Sequence, residues 1–258
     1  MTQNNDKPFI IKSIPTLLSL LAVWFGITAI RFAFSGDFDY AAGFMLFAAF
    51  LDGIDGRVAR ALGVSSDFGV QIDSLADAIN FGVSPAFIIY MWRMNEFSSD
   101  KFAWFAALLL ISSLIIRLAR FNVATTTTDP DSPLVKYFFT GMPAPAVAAM
   151  TILPLVVTFQ FGEGWWSEPI ITILNTILMS IFAASTIPTP CLKKLHFAGL
   201  YNIAYKSTLY LILALFILGF IPLIPFSPWL SLVVLGIVYA ISIVLSVIAY
   251  KKIEKTLK

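Results

Sequence analysis

Eight stretches of about twenty predominantly apolar residues follow one another along this chain, and that pattern leaves few architectures open. A helix rises about 1.5 Å per residue, so twenty residues span the ~30 Å hydrocarbon core of a bilayer. Backbone N–H and C=O groups in that core must find partners within the segment itself, which selects helices. Composition agrees, at 59% hydrophobic and 12% charged residues with a mean hydropathy of +0.86, against about 25% charged in soluble domains. The expected fold is an all-α integral membrane protein, a bundle of about eight transmembrane helices forming one domain over residues 1–258.

The expected segments run over about 15–34, 40–62, 69–92, 102–121, 141–159, 169–187, 207–224 and 229–250. Phe81-Gly82-x-x-Pro85 predicts a bend in the third, and Pro143 and Pro145 fall in the first turn of the fifth, where a missing donor matters little. An even number of crossings puts both termini on one side. Assigning loops alternately, that side collects fourteen of the seventeen Lys and Arg residues, leaving Arg31, Arg93 and Lys101 opposite. The positive-inside rule then makes the termini cytoplasmic. The first twelve residues carry no cleavage signature, so the N-terminus is expected to stay in place.

A net charge of +2 gives no reason to expect a nucleic-acid partner. The single cysteine, Cys191, excludes an intrachain disulfide, and the lone histidine, His196, sits in a basic loop without a second ligand nearby.

What the apolar pattern does not explain is the stretch from Leu51 to Ala86, which holds Asp52, Asp55, Asp67, Asp73 and Asp77. On a helix Asp52, Asp55, Gly56, Ala59 and Arg60 fall within an arc of roughly 140°. Gly69, Asp73 and Asp77 are spaced four apart and stack on one ridge of a following helix. Between them Gly63, Ser65 and Ser66 predict a turn. Two antiparallel helices would thus converge Asp52, Asp55, Asp73 and Asp77 at one membrane face. Unpaired anions there repel and are costly to desolvate, so cations must offset them. Arg60 supplies one charge, and the excess fits hard, oxygen-seeking ions such as Mg²⁺ or Mn²⁺. Gly56, Ala59 and Gly69 leave a hollow where a flat or phosphorylated ligand can approach the backbone. Together these features point to phosphoryl chemistry.

Asp52-x-x-Asp55-Gly56-x-x-Ala59-Arg60, then eight residues, then Gly69-x-x-x-Asp73-x-x-x-Asp77, resembles the signature of the CDP-alcohol phosphotransferases at every specified position. Further strings resemble the serine-transferring branch of that family: Asp73-Ser74-Leu75-Ala76-Asp77, Phe81-Gly82-Val83-Ser84-Pro85-Ala86, Arg117-Leu118-Ala119-Arg120-Phe121-Asn122 and Thr140-Gly141-Met142-Pro143-Ala144-Pro145. One departure is Thr16 after Pro15, where relatives usually carry asparagine. The resemblance implies a core over about 12–187, with additional helices over about 207–250 and an active site facing the cytoplasm. It implies transfer of a phosphatidyl group from CDP-diacylglycerol to L-serine, releasing CMP. Two divalent cations would be held by Asp52, Asp55, Asp73 and Asp77, with Asp77 also the general base. Gly56, Ala59, Arg60 and Gly69 would bind the nucleotide. The resemblance also implies a homodimer in the bilayer. At the membrane edge Arg117, Arg120 and Lys136 are expected to bind the lipid phosphate or the serine carboxylate, the guanidiniums by bidentate pairing, with anchoring to lipid headgroups as the alternative role of the two arginines.

Two alternatives stay open on the residues alone. The signature reads the nucleotide rather than the acceptor, so glycerol 3-phosphate or an inositol could replace serine. Intramembrane carboxylates also mark cation transporters, although here the second half of the chain has no acidic residue within its apolar segments.

Overall fold

The computed structural model describes residues 8–64, 66–96, 100–127, 138–190 and 227–257. The expected segment over 207–224 lies outside them, as do Lys136, Cys191 and His196. Among the described residues the chain is helical apart from one short pairing of two strands.

Helix α1 (Phe9–Phe34) starts earlier than the apolar run suggests and carries Pro15 inside it. A tight turn at Gly36, with φ +81°, returns the chain into α2 (Phe38–Leu62), which lies along α1. Small residues are buried along both helices, Ala22, Ala29 and Ala33 of α1 with Ala41, Ala42 and Ala48 of α2, while Phe25 and Phe32 of α1 stack on Phe44 and reach Phe47 and Tyr40 of α2 at one side of the pair. Other large residues point outward, among them Trp24, Ile27 and Phe50. Lipid is as apolar as leucine, so helices in a bilayer gain by close backbone approach rather than by burying bulk, and small residues inside with large ones outside follow from that.

Gly63 ends α2 in the left-handed conformation, φ +57°. After it Ser66 caps α3 (Asp67–Asp77), its Oγ accepting from the Gly69 N–H at 3.1 Å. The expected turn is therefore real and brings both aspartate ridges to one end. Near Gly82 and Pro85, where a bend is expected, the helix widens into a π-helical stretch, Ala78–Val83, leading into α4 (Ser84–Trp92), and Asp67–Trp92 forms one continuous span. Ser84 N–H bonds the Ile79 carbonyl five residues back, and Ser84 Oγ lies 3.1 Å from that carbonyl and 3.0 Å from the Gly26 carbonyl of α1. Wide turns of this kind recur beside functional sites, and Asp77 immediately precedes this one. Gly26 admits it: a Cβ there would lie 2.2 Å from Asn80 Oδ1.

Helix α5 (Asp100–Thr127) packs on the π stretch. The chain then pairs β1 (Phe138–Thr140) antiparallel with β2 (Pro188–Pro190), Phe139 opposite Thr189. Gly141 follows β1 at φ +79°, where a Cβ would meet the Ser185 carbonyl at 2.7 Å.

The fifth expected segment is not one straight helix but two, α6 (Ala144–Thr151) and α7 (Leu153–Phe161), inclined at 44°. Pro154 is the cause, because it has no N–H for the carbonyl of Met150 four residues earlier and its ring crowds that carbonyl. Asn175 of α8 (Pro169–Ala184) meets the break, its Nδ2 donating to the Met150 and Thr151 carbonyls at 3.1 and 3.2 Å. The last described helix, α9 (Pro228–Leu257), runs beside α7 and reaches β2. Trp229 packs on Phe159, ring centroids 4.7 Å apart, and Gly236 lies against Leu153.

Three helical stretches are long and apolar enough to cross a bilayer (Ile10–Phe34, Asp67–Trp92 and Lys101–Ala124), and the bent α6–α7 pair makes a fourth. Together they describe a multi-pass, all-α membrane protein. α2 has the length to cross, and its aspartates and arginines account for its lower hydropathy.

Candidate active site

Asp52 and Asp55 project from the last turns of α2, and Asp73 and Asp77 from α3. Carboxylate oxygens of Asp52, Asp55 and Asp73 lie within 4.8 Å of one another, and the Asp77 carboxyl adjoins that of Asp52. Spacing of four on α3 and of three on α2 is what turns these groups toward each other once Gly63 reverses the chain.

Each carboxylate is held differently. Asp55 is 3% exposed; Ser19 of α1 donates its hydroxyl to Oδ2 at 2.5 Å and the Gly56 N–H lies 2.5 Å from Oδ1. Asp52 Oδ1 is shut off from solvent and has no hydrogen-bond partner. Ser74, next to Asp73, accepts a 3.0 Å bond from Asn122 Nδ2, which fastens α3 to the end of α5.

Among the cations, Arg60 folds back over Gly56, its Nη1 3.5 Å from where a Cβ would stand, and its charge acts on Asp55 and Asp73. Arg117 of α5 is buried, acts on Asp77 and leaves its Nε unpaired. Arg120 is exposed and donates to the Ala184 carbonyl at the C-terminus of α8, a place that suits a cation. Gly56, Ala59 and Gly69 are half-buried around the cluster, and the nearest atom to a Cβ on Gly69 would be Ser66 Oγ at 3.2 Å.

The structure thus gathers the four aspartates, Arg60 and Arg117 at one end of the bundle, while Arg120 sits at the end of a neighbouring helix. Sequence reasoning gave Ser19, within the first expected segment, no role. It missed the Ser74–Asn122 bond, although both residues lie in strings that the resemblance singled out.

Four carboxylates with two guanidiniums in range leave negative charge over, and a buried carboxylate oxygen without a donor can serve as a metal ligand. The donor set is all oxygen and anionic, which suits a hard divalent cation. Asp52, Asp55 and Asp73 can hold one.

The family described as CDP-alcohol phosphatidyltransferase matches residues 12–188. The chain belongs to this family. Curated relatives include a CDP-diacylglycerol–serine O-phosphatidyltransferase of Mycobacterium leprae, 40% identical over 71% of this chain and 59% of its own length. One of the same name from Helicobacter pylori is 35% identical over 70% of this chain and 73% of its own length. An archaetidylserine synthase of Methanothermobacter thermautotrophicus is 35% identical over 68% of this chain and 70% of its own length. The chain spans about three fifths of the mycobacterial relative. All four aspartates, Arg60 and Arg117 fall within the stretch that the family shares, and α9 falls outside it.

Proposed function

We propose that this chain transfers the phosphatidyl group of CDP-diacylglycerol to the hydroxyl of L-serine, giving phosphatidylserine and CMP. The observation that carries the reading is the convergence of Asp52, Asp55, Asp73 and Asp77 at one end of the bundle, in a chain whose relatives bear names for that reaction. These four residues would hold two divalent cations, Mg²⁺ or Mn²⁺. Such ions supply charge neutralisation of the diphosphate and of the departing CMP.

The chain's own groups do the rest. Gly56, Ala59 and Gly69 admit the cytidine, and Arg60 pairs with the nucleotide phosphate. Arg117, buried and with an unpaired Nε, binds the lipid-side phosphate, while Arg120, exposed at the end of α5, attracts anionic substrate, a role the sequence also gives Lys136. Ser19 holds Asp55 in its rotamer. Asp77 accepts the proton of the serine hydroxyl as that oxygen bonds to the lipid-linked phosphorus, and the bond from phosphorus to the CMP oxygen breaks with its electron pair leaving on CMP.

Membranes containing the protein, incubated with CDP-diacylglycerol and a panel of alcohols, test this by CMP release. Serine should be the acceptor that releases it. Release with glycerol 3-phosphate or an inositol instead would reassign the acceptor, and metal-driven ion flux without CMP would replace the enzyme with a transporter. The site and both termini are assigned to the cytoplasm from the basic asymmetry. A cysteine placed in the 163–168 loop should react with an impermeant reagent from outside, and labelling only after permeabilisation would reverse the assignment. The homodimer implied by the resemblance is checked by light scattering of the detergent-solubilised protein, where a protein mass of 28.5 kDa would show a monomer.

A further inference from the structure

Beyond the shared family stretch, α9 meets α6 and α7 along an apolar groove of about 240 Å³ that Leu46 of α2 closes from below. Pro145 and Ala149, one turn apart on α6, form its exposed rim; Leu153 and Gly236 form its floor. Tyr239 is the only one of its lining residues to bring a hydroxyl or a charge. That hydroxyl is shut off from solvent without a hydrogen-bond partner, and it lies within electrostatic range of Arg117, whose Nε is likewise buried and unpaired. Arg117 in turn acts on Asp77. Tyr239 therefore ties an otherwise apolar groove to Arg117 and, through it, to the aspartates.

We propose that α9 is part of the substrate site: the Tyr239 hydroxyl, together with Arg117, holds the lipid-side phosphate of CDP-diacylglycerol, and the groove takes one of its acyl chains. This rests on the lipid substrate proposed above. Two buried, unpaired donors, the Tyr239 hydroxyl and Arg117 Nε, match the oxygens of a phosphodiester, which accepts and never donates. A helix of a second copy is a poor occupant, because a single helical turn, about 5.4 Å by 10 Å, displaces roughly 400 Å³ and cannot divide. A flexible chain can lay part of its length in the groove and leave the rest in the bilayer, and the exposed rim on α6 lets it enter. Gly236 is what brings α9 close enough, since a Cβ there would stand 3.0 Å from Leu153 Cδ1.

The test is steady-state kinetics of Tyr239→Phe, which keeps the ring and its packing and deletes the donor, beside Ala149→Phe, which fills the rim. Wild-type protein is run first: if it releases no CMP from CDP-diacylglycerol with any alcohol, the substrate reading fails before the variants bear on it. Given an active wild type, Tyr239→Phe should raise KM for CDP-diacylglycerol about tenfold or more while KM for serine stays within twofold. Ala149→Phe should raise KM for a long-chain CDP-diacylglycerol several times more than for the dioctanoyl form. An unchanged lipid KM in Tyr239→Phe, or parallel rises in lipid and serine KM, overturns the role of the hydroxyl. Equal effects of Ala149→Phe on both chain lengths overturn the groove. Should one variant fail to fold in detergent, the other still decides its half of the proposal.

Discussion

The two ends of this bundle treat charge in opposite ways. At one end Arg93 bonds Glu96, Nη1 to Oε2 at 3.2 Å, and Glu163 through its other nitrogen, with its guanidinium 5.5 Å from the centre of the Trp92 ring. Every carboxylate in that group has a partner within the protein. At the other end four carboxylates face one another, Asp52 Oδ1 has no partner, and the guanidiniums in range are too few to balance them. The carboxylates of an anchor at a membrane surface can be balanced within the protein, even where Arg93 Nε is buried without a partner as Arg117 Nε is. A cluster left unbalanced inside a well-packed bundle is arranged for something that arrives from outside, which the proposed function makes cations and a diphosphate.

The sharpest way to break that contrast is to remove the cations. Chelation should abolish CMP release, and Mg²⁺ or Mn²⁺ should restore it; activity that survives exhaustive chelation would mean that the carboxylates work without metal. Asp77→Asn comes next. It keeps the size and one oxygen but leaves no group to take the serine proton, and proton transfer typically contributes 10²- to 10⁴-fold. Turnover should fall at least about a hundredfold with CDP-diacylglycerol binding largely kept, whereas Asp52→Asn should weaken metal and nucleotide binding together. Near-normal turnover of Asp77→Asn at saturating metal would remove the base assignment.

Ser19→Ala probes the support of the cluster rather than its ligands. The hydroxyl holds Asp55 Oδ2 at 2.5 Å from a different helix, and partners of metal-binding carboxylates commonly alter metal affinity by 10- to 100-fold. Ser19→Ala should therefore raise the metal concentration for half-maximal activity by about tenfold or more. Turnover at saturating metal should stay near that of the wild type. A drop in turnover that added metal does not rescue would make Ser19 part of the chemistry.

Much of the unbalanced end was legible in the sequence because its geometry is local. The spacings three and four, with Gly63 between them, dictate which side chains share a face and where the chain turns back. The resemblance then supplied roles that spacing alone does not give. Contacts between distant segments were harder to read. Ser19 and Asp55 are 36 residues apart, and Asn175 reaches back 25 residues to the carbonyl that Pro154 leaves unpaired. A proline in an apolar run signals a break, but not which neighbour satisfies it. Tyr239 lay hidden for another reason: in a helix apolar on all sides, no periodicity marks the face that meets the site.

The smallest effect is expected at the balanced end. Glu163→Gln removes one charge from the Arg93 group but keeps the side chain's length and an acceptor. The Glu163 side chain is 73% exposed, and pairs of that kind contribute about 0–1 kcal/mol. Arg93 keeps Glu96 as a partner, so no charge is stranded. Thermal unfolding in detergent should shift by a few degrees at most, and the kinetic constants for both substrates should stay at wild-type values. The same substitution of chemistry, carboxylate to amide, is predicted to cost at least a hundredfold in turnover at Asp77. If Glu163→Gln lowered turnover comparably in folded protein, the ends would be coupled through the bundle, and the separation of an anchoring end from a reacting end would fail.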